Sequence, residues 1–235
     1  MSRAPRYVLL LALAACAPAS PAPPAASAPR TSDASPAPIA LERFEPEIRA
    51  FEAADRASMP APGGIVFVGS SSIRRWSSLA ADFPGLPVLN RGFGGSTFPE
   101  ANHYVSRTVL RYRPRTIVLY EGDNDIAIGR SPQQVLADFR QFVRLVRDSL
   151  PSARIVFVAI KPSPSRWKQV ELQREANRLV RDVVATDTLL SYVDVVQPML
   201  GANGRPQPAL FVGDSLHMTS AGYTIWRAQI APVVR

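Results

Sequence analysis

Residues 65–72 read Ile-Val-Phe-Val-Gly-Ser-Ser-Ser, and this stretch decides the fold class. A short apolar run without alternation is typical of a strand that is covered on both faces. Gly69 ends the run, and the serines after it begin a new pattern, with Ile73, Trp76 and Leu79 at helical spacing. The stretch therefore predicts a buried strand, a tight turn and a helix.

Strand and helix patterns alternate through most of the chain. Further apolar runs predict strands over residues 88–89, 116–120, 155–160 and 192–196. Apolar residues spaced three or four apart predict helices over residues 41–57, 72–81, 131–150, 167–185 and 220–234. Doubly buried strands separated by helices are typical of parallel sheets, so the sequence predicts one α/β domain without internal repeats.

The N-terminal region has a different character. Arg3 and Arg6 precede an apolar run at residues 7–15. That run is far shorter than the roughly 20 residues that span a bilayer. A basic start followed by a short apolar run predicts a secretory signal over residues 1–15.

The signal ends in Leu-Ala-Ala-Cys, which resembles the bacterial lipoprotein box. On that resemblance Cys16, the single cysteine, is lipidated and anchors an exported lipoprotein to a membrane of the cell envelope. Cleavage at a small-x-small site would instead release a soluble periplasmic protein. Residues 17–38 hold seven Pro, eight Ala and four Ser, so residues 16–38 are predicted to form a lipidated tether before a folded domain at 39–235.

The charge balance excludes few partners by itself. The chain has 27 Lys+Arg against 19 Asp+Glu, a formal net charge of +8. Only Lys161 and Lys168 are lysines, and the arginines are spread along the whole chain. Because nucleic-acid binding usually gathers basic residues into one region, we expect no nucleic-acid partner. A single cysteine also excludes an internal disulfide and a cysteine metal cluster.

Polar loops follow the predicted strands, at the sheet edge where parallel α/β proteins bind ligands. A serine at a strand-to-helix turn exposes its hydroxyl, and its N–H belongs to the free donors of the helix start. Asp214 precedes His217 by three residues, which lets the carboxylate hold Nδ1 and leaves Nε2 for a serine. His103, the other histidine, lacks such a partner and is interpreted as surface or pocket wall. Each motif alone also fits a turn or a helix cap.

Taken in order, the loops resemble the four sequence blocks of the SGNH hydrolases, also called GDSL esterases and lipases. The matching residues span 62–235 and are Gly69-Ser70-Ser71, Gly92, Gly122-Asp123-Asn124-Asp125 and Asp214-Ser215-Leu216-His217. The resemblance implies a flavodoxin-like three-layer α/β/α sandwich with a five-stranded parallel sheet. It also implies a carboxylic ester hydrolase that needs neither cofactor nor metal.

The resemblance further assigns the site residues. Ser71 would attack the ester, His217 would act as base, and Asp214 would orient His217. The N–H groups of Ser71 and Gly92 and the Asn124 amide would form the oxyanion hole. The first block reads Gly-Ser-Ser where the family has Gly-Asp-Ser, so the neighbouring serines, Ser70 and Ser72, compete with Ser71 as nucleophile.

The predicted substrate is a short-chain acyl ester, acetyl above all and including acylated carbohydrates, because the loops are short and offer no long apolar lid. Two alternatives stay open: a thioesterase or lysophospholipase with the same machinery, and a non-catalytic surface binding module. Trp167 could stack on a sugar or cap the core. Arg91 could contact an anionic substrate or pair with an acid.

The lipoprotein prediction can be tested at Cys16. Cys16→Ser should move the protein from the membrane fraction to the soluble exported fraction, because the acyl chains alone would hold it at the membrane. Fractionation and mass spectrometry of the N-terminal peptide make the measurement. A wild-type protein that is fully soluble with an unmodified Cys16 would overturn the prediction.

Overall fold

The computed structural model describes Met1 and residues 40–234. The predicted signal apart from Met1, Cys16 and the whole of the tether lie outside these residues. None of the described helices combines the length and the apolar character that crossing a membrane requires.

Five parallel strands form one sheet in the order β2-β1-β3-β4-β5. The strands are β1 Ile65–Gly69, β2 Val88–Gly92, β3 Thr116–Tyr120, β4 Arg154–Val158 and β5 Leu190–Val193. The chain runs outward from β1 to the edge strand β2 and then returns to build β3 on the other side of β1. This reversal leaves a crevice at the carboxyl ends of β1 and β3, where flavodoxin-like sheets bind ligands.

Helices cover both faces of the sheet. The described α-helices are α1 Glu45–Ala57, α2 Ser71–Arg74, α3 Leu79–Asp82, α4 Phe98–Thr108, α5 Asp123–Ala127, α6 Pro132–Ser149, α7 Val170–Val184, α8 Val196–Met199 and α9 Ser220–Val234. Short 3₁₀ turns lie at Leu41–Phe44, Leu110–Tyr112, Trp167–Gln169 and Pro208–Leu210.

Successive strand residues enter two separate cores. Val66 and Val68 pack with α1, α4, α6 and α7, whereas Ile65 and Phe67 pack with α2, α3, α8 and α9. Both sets are buried, as expected for strands that are covered on both faces. The predicted three-layer α/β/α sandwich with a five-stranded parallel sheet is confirmed.

Local polar contacts account for the places where elements differ from prediction. The predicted helix over 72–81 is divided into α2 and α3. Trp76 and Ser78 lie in the intervening turn, and the Trp76 indole and the Ser78 hydroxyl both donate at 2.6 Å to Oδ2 of Asp82, the last residue of α3. The predicted strand over 192–196 stops at Val193, since Asp194 accepts from the Val196 N–H and begins α8.

Helix α4 has no counterpart among the predicted helices. Its sequence signal is a capping box in which the Thr97 and Glu100 side chains satisfy each other's backbone N–H groups, with Pro99 in the first turn. The Arg43 side chain also bonds Glu100, which joins the helix start to the segment before α1.

Gly69 makes the tightest backbone contact in the sheet, and the contribution of this contact to stability can be tested. Its φ is +136°, and a Cβ there would lie 2.0 Å from the Tyr120 carbonyl oxygen. Gly69→Ala should therefore lower the free energy of unfolding by about 3 kcal/mol or more, from backbone strain plus overpacking.

Gly85→Ala is the matched control, because Gly85 also has a positive φ, +76°, but nothing within 4 Å of a Cβ. It should cost only about 1–2 kcal/mol. Urea denaturation of both variants measures the difference, and equal losses would show that the contact with β3 is not the constraint.

Candidate active site

Ser71 stands at the junction of β1 and α2, as its first helical residue. The N–H of the preceding residue, Ser70, donates to the Tyr120 carbonyl, whereas the Ser71 N–H has no acceptor among the described residues. Ser70 and Ser72 are buried, and Ser71 is partly exposed. Of the three serines, Ser71 therefore offers both an accessible hydroxyl and a free backbone donor at a helix start.

The Ser71 hydroxyl meets the imidazole of His217. Ser71 Oγ lies 2.8 Å from His217 Nε2, and His217 Nδ1 lies 2.6 Å from Asp214 Oδ2. Because an ionised carboxylate only accepts hydrogen bonds, Nδ1 carries the proton and Nε2 presents its lone pair to the serine. The structure thus brings Ser71 into contact with the Asp214–His217 pair, which is 143 to 146 residues away in the sequence.

Asp214 is held by its own turn. Its Oδ1 accepts from the backbone N–H groups of Leu216 and His217, each at 2.9 Å. The His217 backbone and ring and the Leu216 N–H hold the pKa of the Asp214 carboxyl well below its ordinary value, although 43% of the side chain is exposed. Ser215 adopts φ 57°, a left-handed conformation that completes this turn.

Helix α9 contacts the backbone of α2, the helix that carries Ser71. The Tyr223 hydroxyl donates to the Ser72 carbonyl at 3.0 Å, and its ring lies 5.1 Å from that of Trp76. Burial raises the pKa of Tyr223, so the hydroxyl stays a donor at neutral pH. The helix that follows the histidine thereby fixes the helix that carries the serine.

Asn124 lies in the first turn of α5, after β3. Its Nδ2 donates to the Ser96 carbonyl at 2.8 Å, and its Oδ1 accepts from Arg166 at 2.8 Å. The amide therefore spans from the loop after β2 to the segment after β4.

Gly92 has a different environment from the predicted one. Its N–H donates to Asn90 Oδ1 at 2.9 Å, and a Cβ on Gly92 would lie 2.2 Å from the backbone nitrogen of Arg74. The residue allows β2 to pack closely against α2, and its N–H already has an acceptor. The structure therefore argues against Gly92 as an oxyanion donor.

Gly95 fits the donor role better. It has φ +82°, its N–H has no acceptor among the described residues, and it precedes Ser96, the residue that Asn124 contacts. The signal in the sequence is the pair Gly94-Gly95 in the loop after β2, whereas Gly92, which the resemblance indicated, is the last residue of that strand.

The sequence also does not predict the buried ionic cluster that adjoins Asn124. Asp123 accepts from Lys161 at 3.3 Å and from Gln173 at 3.0 Å, and Arg166 lies 2.8 Å from its Oδ1. Burial raises the pKa of Asp123, but the Lys161 and Arg166 cations outweigh it and hold that pKa below its ordinary value. Tyr120 completes the cluster with a hydroxyl 3.3 Å from Asp123.

Arg91 pairs with an acid, which decides the alternative left open by the sequence. Its guanidinium lies 2.5 Å from Asp55, and its Nε donates to the Tyr112 hydroxyl at 2.7 Å. All three side chains are buried, so they tie α1 and the turn after α4 to β2 rather than meet a substrate.

Neither His103 nor Trp167 forms a hydrogen bond with Ser71 or His217 in the described part of the chain. His103 is exposed and packs its ring beside Tyr104. Trp167 is half-buried, with the Arg205 guanidinium 4.6 Å and that of Arg174 5.9 Å from its ring centre. Across residues 40–234, no three His, Asp or Glu side chains gather as a metal site would require.

Comparison with known proteins shows which family the chain belongs to. Residues 61–225 match the model of the GDSL-like Lipase/Acylhydrolase family. Platelet-activating factor acetylhydrolase IB subunit alpha1 is 27% identical in Homo sapiens and in Bos taurus, over 68% of this chain and 70% of those proteins.

Solved structures share the fold at lower identity. A GDSL-like lipase from Bacteroides thetaiotaomicron superposes with a TM-score of 0.66 at 20% identity, over 80% of this chain and 96% of that one. An acetyl xylan esterase variant from Geobacillus stearothermophilus gives 0.59 at 16% identity, over 73% and 94%. The predicted family is confirmed: the chain belongs to the GDSL-like lipase/acylhydrolase family and is a carboxylic ester hydrolase.

Proposed function

We propose that the protein is a serine esterase that removes short acyl groups, acetyl above all, from alcohol or carbohydrate esters. The observation that carries the proposal is the continuous hydrogen-bonded line from Ser71 through His217 to Asp214. A nucleophile, a base and an orienting acid in hydrogen-bond contact are the minimum that acyl transfer through a serine requires.

The reaction would proceed in two steps. Ser71 Oγ attacks the ester carbonyl while His217 Nε2 takes its proton, and the tetrahedral intermediate expels the alcohol, which receives that proton. Water then attacks the acyl-Ser71 ester with His217 as base, which releases the carboxylic acid and restores the serine. Asp214 remains ionised throughout and stabilises the transient imidazolium.

Three donors are available for the oxyanion. They are the N–H groups of Ser71 and Gly95 and the second Nδ2 hydrogen of Asn124, which no described acceptor occupies. Loss of one such donor typically costs about 2.7–4 kcal/mol of transition-state stabilisation.

Two observations support a short acyl group. The known relatives include an acetylhydrolase, and the fold neighbours include an acetyl xylan esterase. The catalytic turn is also open to solvent, because nearly half of the Asp214 side chain is exposed. Trp167, flanked by arginines, would provide an aromatic ring against which a sugar could pack. The lipid anchor proposed on Cys16 would hold the enzyme near the cell envelope.

An ester series tests the substrate class. We expect kcat/KM to be highest for p-nitrophenyl acetate, to fall steeply by the octanoate, and to be measurable on acetylated xylan. A preference for palmitate or for acyl-CoA would favour the lysophospholipase or thioesterase alternative, and no turnover of any ester would favour the binding module. Ser71→Ala is the blank for each substrate.

The nucleophile is tested by labelling. A fluorophosphonate probe should modify Ser71, and Ser71→Ala should abolish labelling and lower kcat by about 10⁴-fold or more. Ser70→Ala and Ser72→Ala are matched controls and should keep most of both, because neither hydroxyl touches His217. An adduct mapped to either control position would reassign the nucleophile.

A further inference from the structure

We propose that Arg166 is a positioning residue of the oxyanion site, acting through the side-chain amide of Asn124. The inference rests on the proposed role of Asn124 as an oxyanion donor. It adds a residue from the segment after β4, outside the four sequence blocks that the family resemblance uses.

Arg166 links two neighbouring side chains at the start of α5. One terminal nitrogen donates to Asn124 Oδ1 at 2.8 Å, and the other lies 2.8 Å from Asp123 Oδ1. The Arg166 side chain is 18% exposed and that of Asp123 only 5%. A planar guanidinium held at both ends has little freedom to move, so it defines where the amide can lie.

These contacts also decide which way the amide faces. Arginine has donors and no acceptor, so the Asn124 oxygen must face Arg166. The Ser96 carbonyl is an acceptor only, so the amide nitrogen must face Ser96. The two contacts exclude the flipped amide, which would present an oxygen to a developing negative charge.

The guanidinium also makes the amide a better donor. A charge-assisted hydrogen bond to Oδ1 draws electron density from the amide, and linked hydrogen bonds strengthen one another at low local dielectric. Lys161, only 1% exposed, contacts the opposite oxygen of Asp123. Two basic side chains, Lys161 and Arg166, therefore contact the single carboxylate of Asp123, the residue before Asn124.

The backbone joins this cluster to the catalytic turn. The Ser165 N–H donates to the Ser215 carbonyl at 3.1 Å, and Ser215 lies between Asp214 and His217. The segment that places Arg166 is thus held by the turn that places the base. Displacement of Arg166 would shift the oxyanion donor relative to Ser71 rather than unfold the sheet.

A double-mutant cycle tests the coupling. Arg166→Met, Asn124→Ala and the double variant are compared on p-nitrophenyl acetate, with Arg178→Met as the control, because Arg178 makes its ion pairs with Glu175 and Asp182 on the exposed face of α7. Asn124→Ala should lower kcat by about 10²–10³-fold. Arg166→Met should lower kcat by about 10–10²-fold with KM within about twofold, since positioning errors act on the transition state.

In the Asn124→Ala background, Arg166→Met should lower kcat by less than about threefold, because residues that act as a unit are not additive. The same loss in both backgrounds, or full kcat in Arg166→Met, overturns the role of Arg166 alone. Full kcat in Asn124→Ala overturns the proposed oxyanion donor and the inference with it.

Melting temperatures identify a folding defect. If Arg166→Met melts below the assay temperature, Arg166→Lys carries the test, because it keeps a cation beside Asp123 but lacks the fork that spans both partners. It should show a reduced kcat that the Asn124→Ala background again removes. An equal loss in both backgrounds contradicts the proposal.

Discussion

The pairing of β1 with β3 is the constraint on which the site depends. Gly69 and Tyr120 are opposite each other at the ends of these strands, and the Ser70 N–H bonds the Tyr120 carbonyl. Both strands therefore end at the same level, and the helices that follow begin with Ser71 and Asp123. Only a glycine permits this approach, so the position of the serine relative to Asn124 follows from one close backbone contact.

The sequence predicts the central strands well because doubly buried strands such as β1 and β3 leave an apolar run, whereas the edge strand β2 extends beyond its predicted residues 88–89 into Asn90, Arg91 and Gly92. Strand-end position and three-residue spacing are local properties, so they indicate a serine in the turn after β1 and the pair Asp214 and His217, whereas the choice of Ser71 among three serines came from the family resemblance. Arg91 and Lys161 show what the sequence does not predict, which is the burial of a cation. A cation in sequence gives no sign of burial, and the acids that hold these two, Asp55 and Asp123, come from distant segments.

The glycine proposed as an oxyanion donor shows a second limit of prediction from the sequence. Gly92 ends β2 and Gly95 lies in the loop that follows it, and composition alone does not separate them. The difference lies in hydrogen bonding: Gly92 donates to the side chain of Asn90, and Gly95 makes no such contact within the described residues. Whether each glycine N–H has an acceptor depends on how this segment packs against α2, which is a property of the tertiary structure.

The two halves of the site are held by different physical means. The Asp214 side chain is partly exposed, and backbone N–H groups of its own turn fix its orientation and its ionised state. Asn124 instead rests on a buried ionic cluster, where ion pairs are strong only when every partner is present. The Ser165–Ser215 hydrogen bond connects the halves, so the solvated turn and the buried cluster cannot move independently. Asp214 is thus positioned near the surface by its own turn, whereas Asn124, the proposed oxyanion donor, is positioned by side chains of the interior.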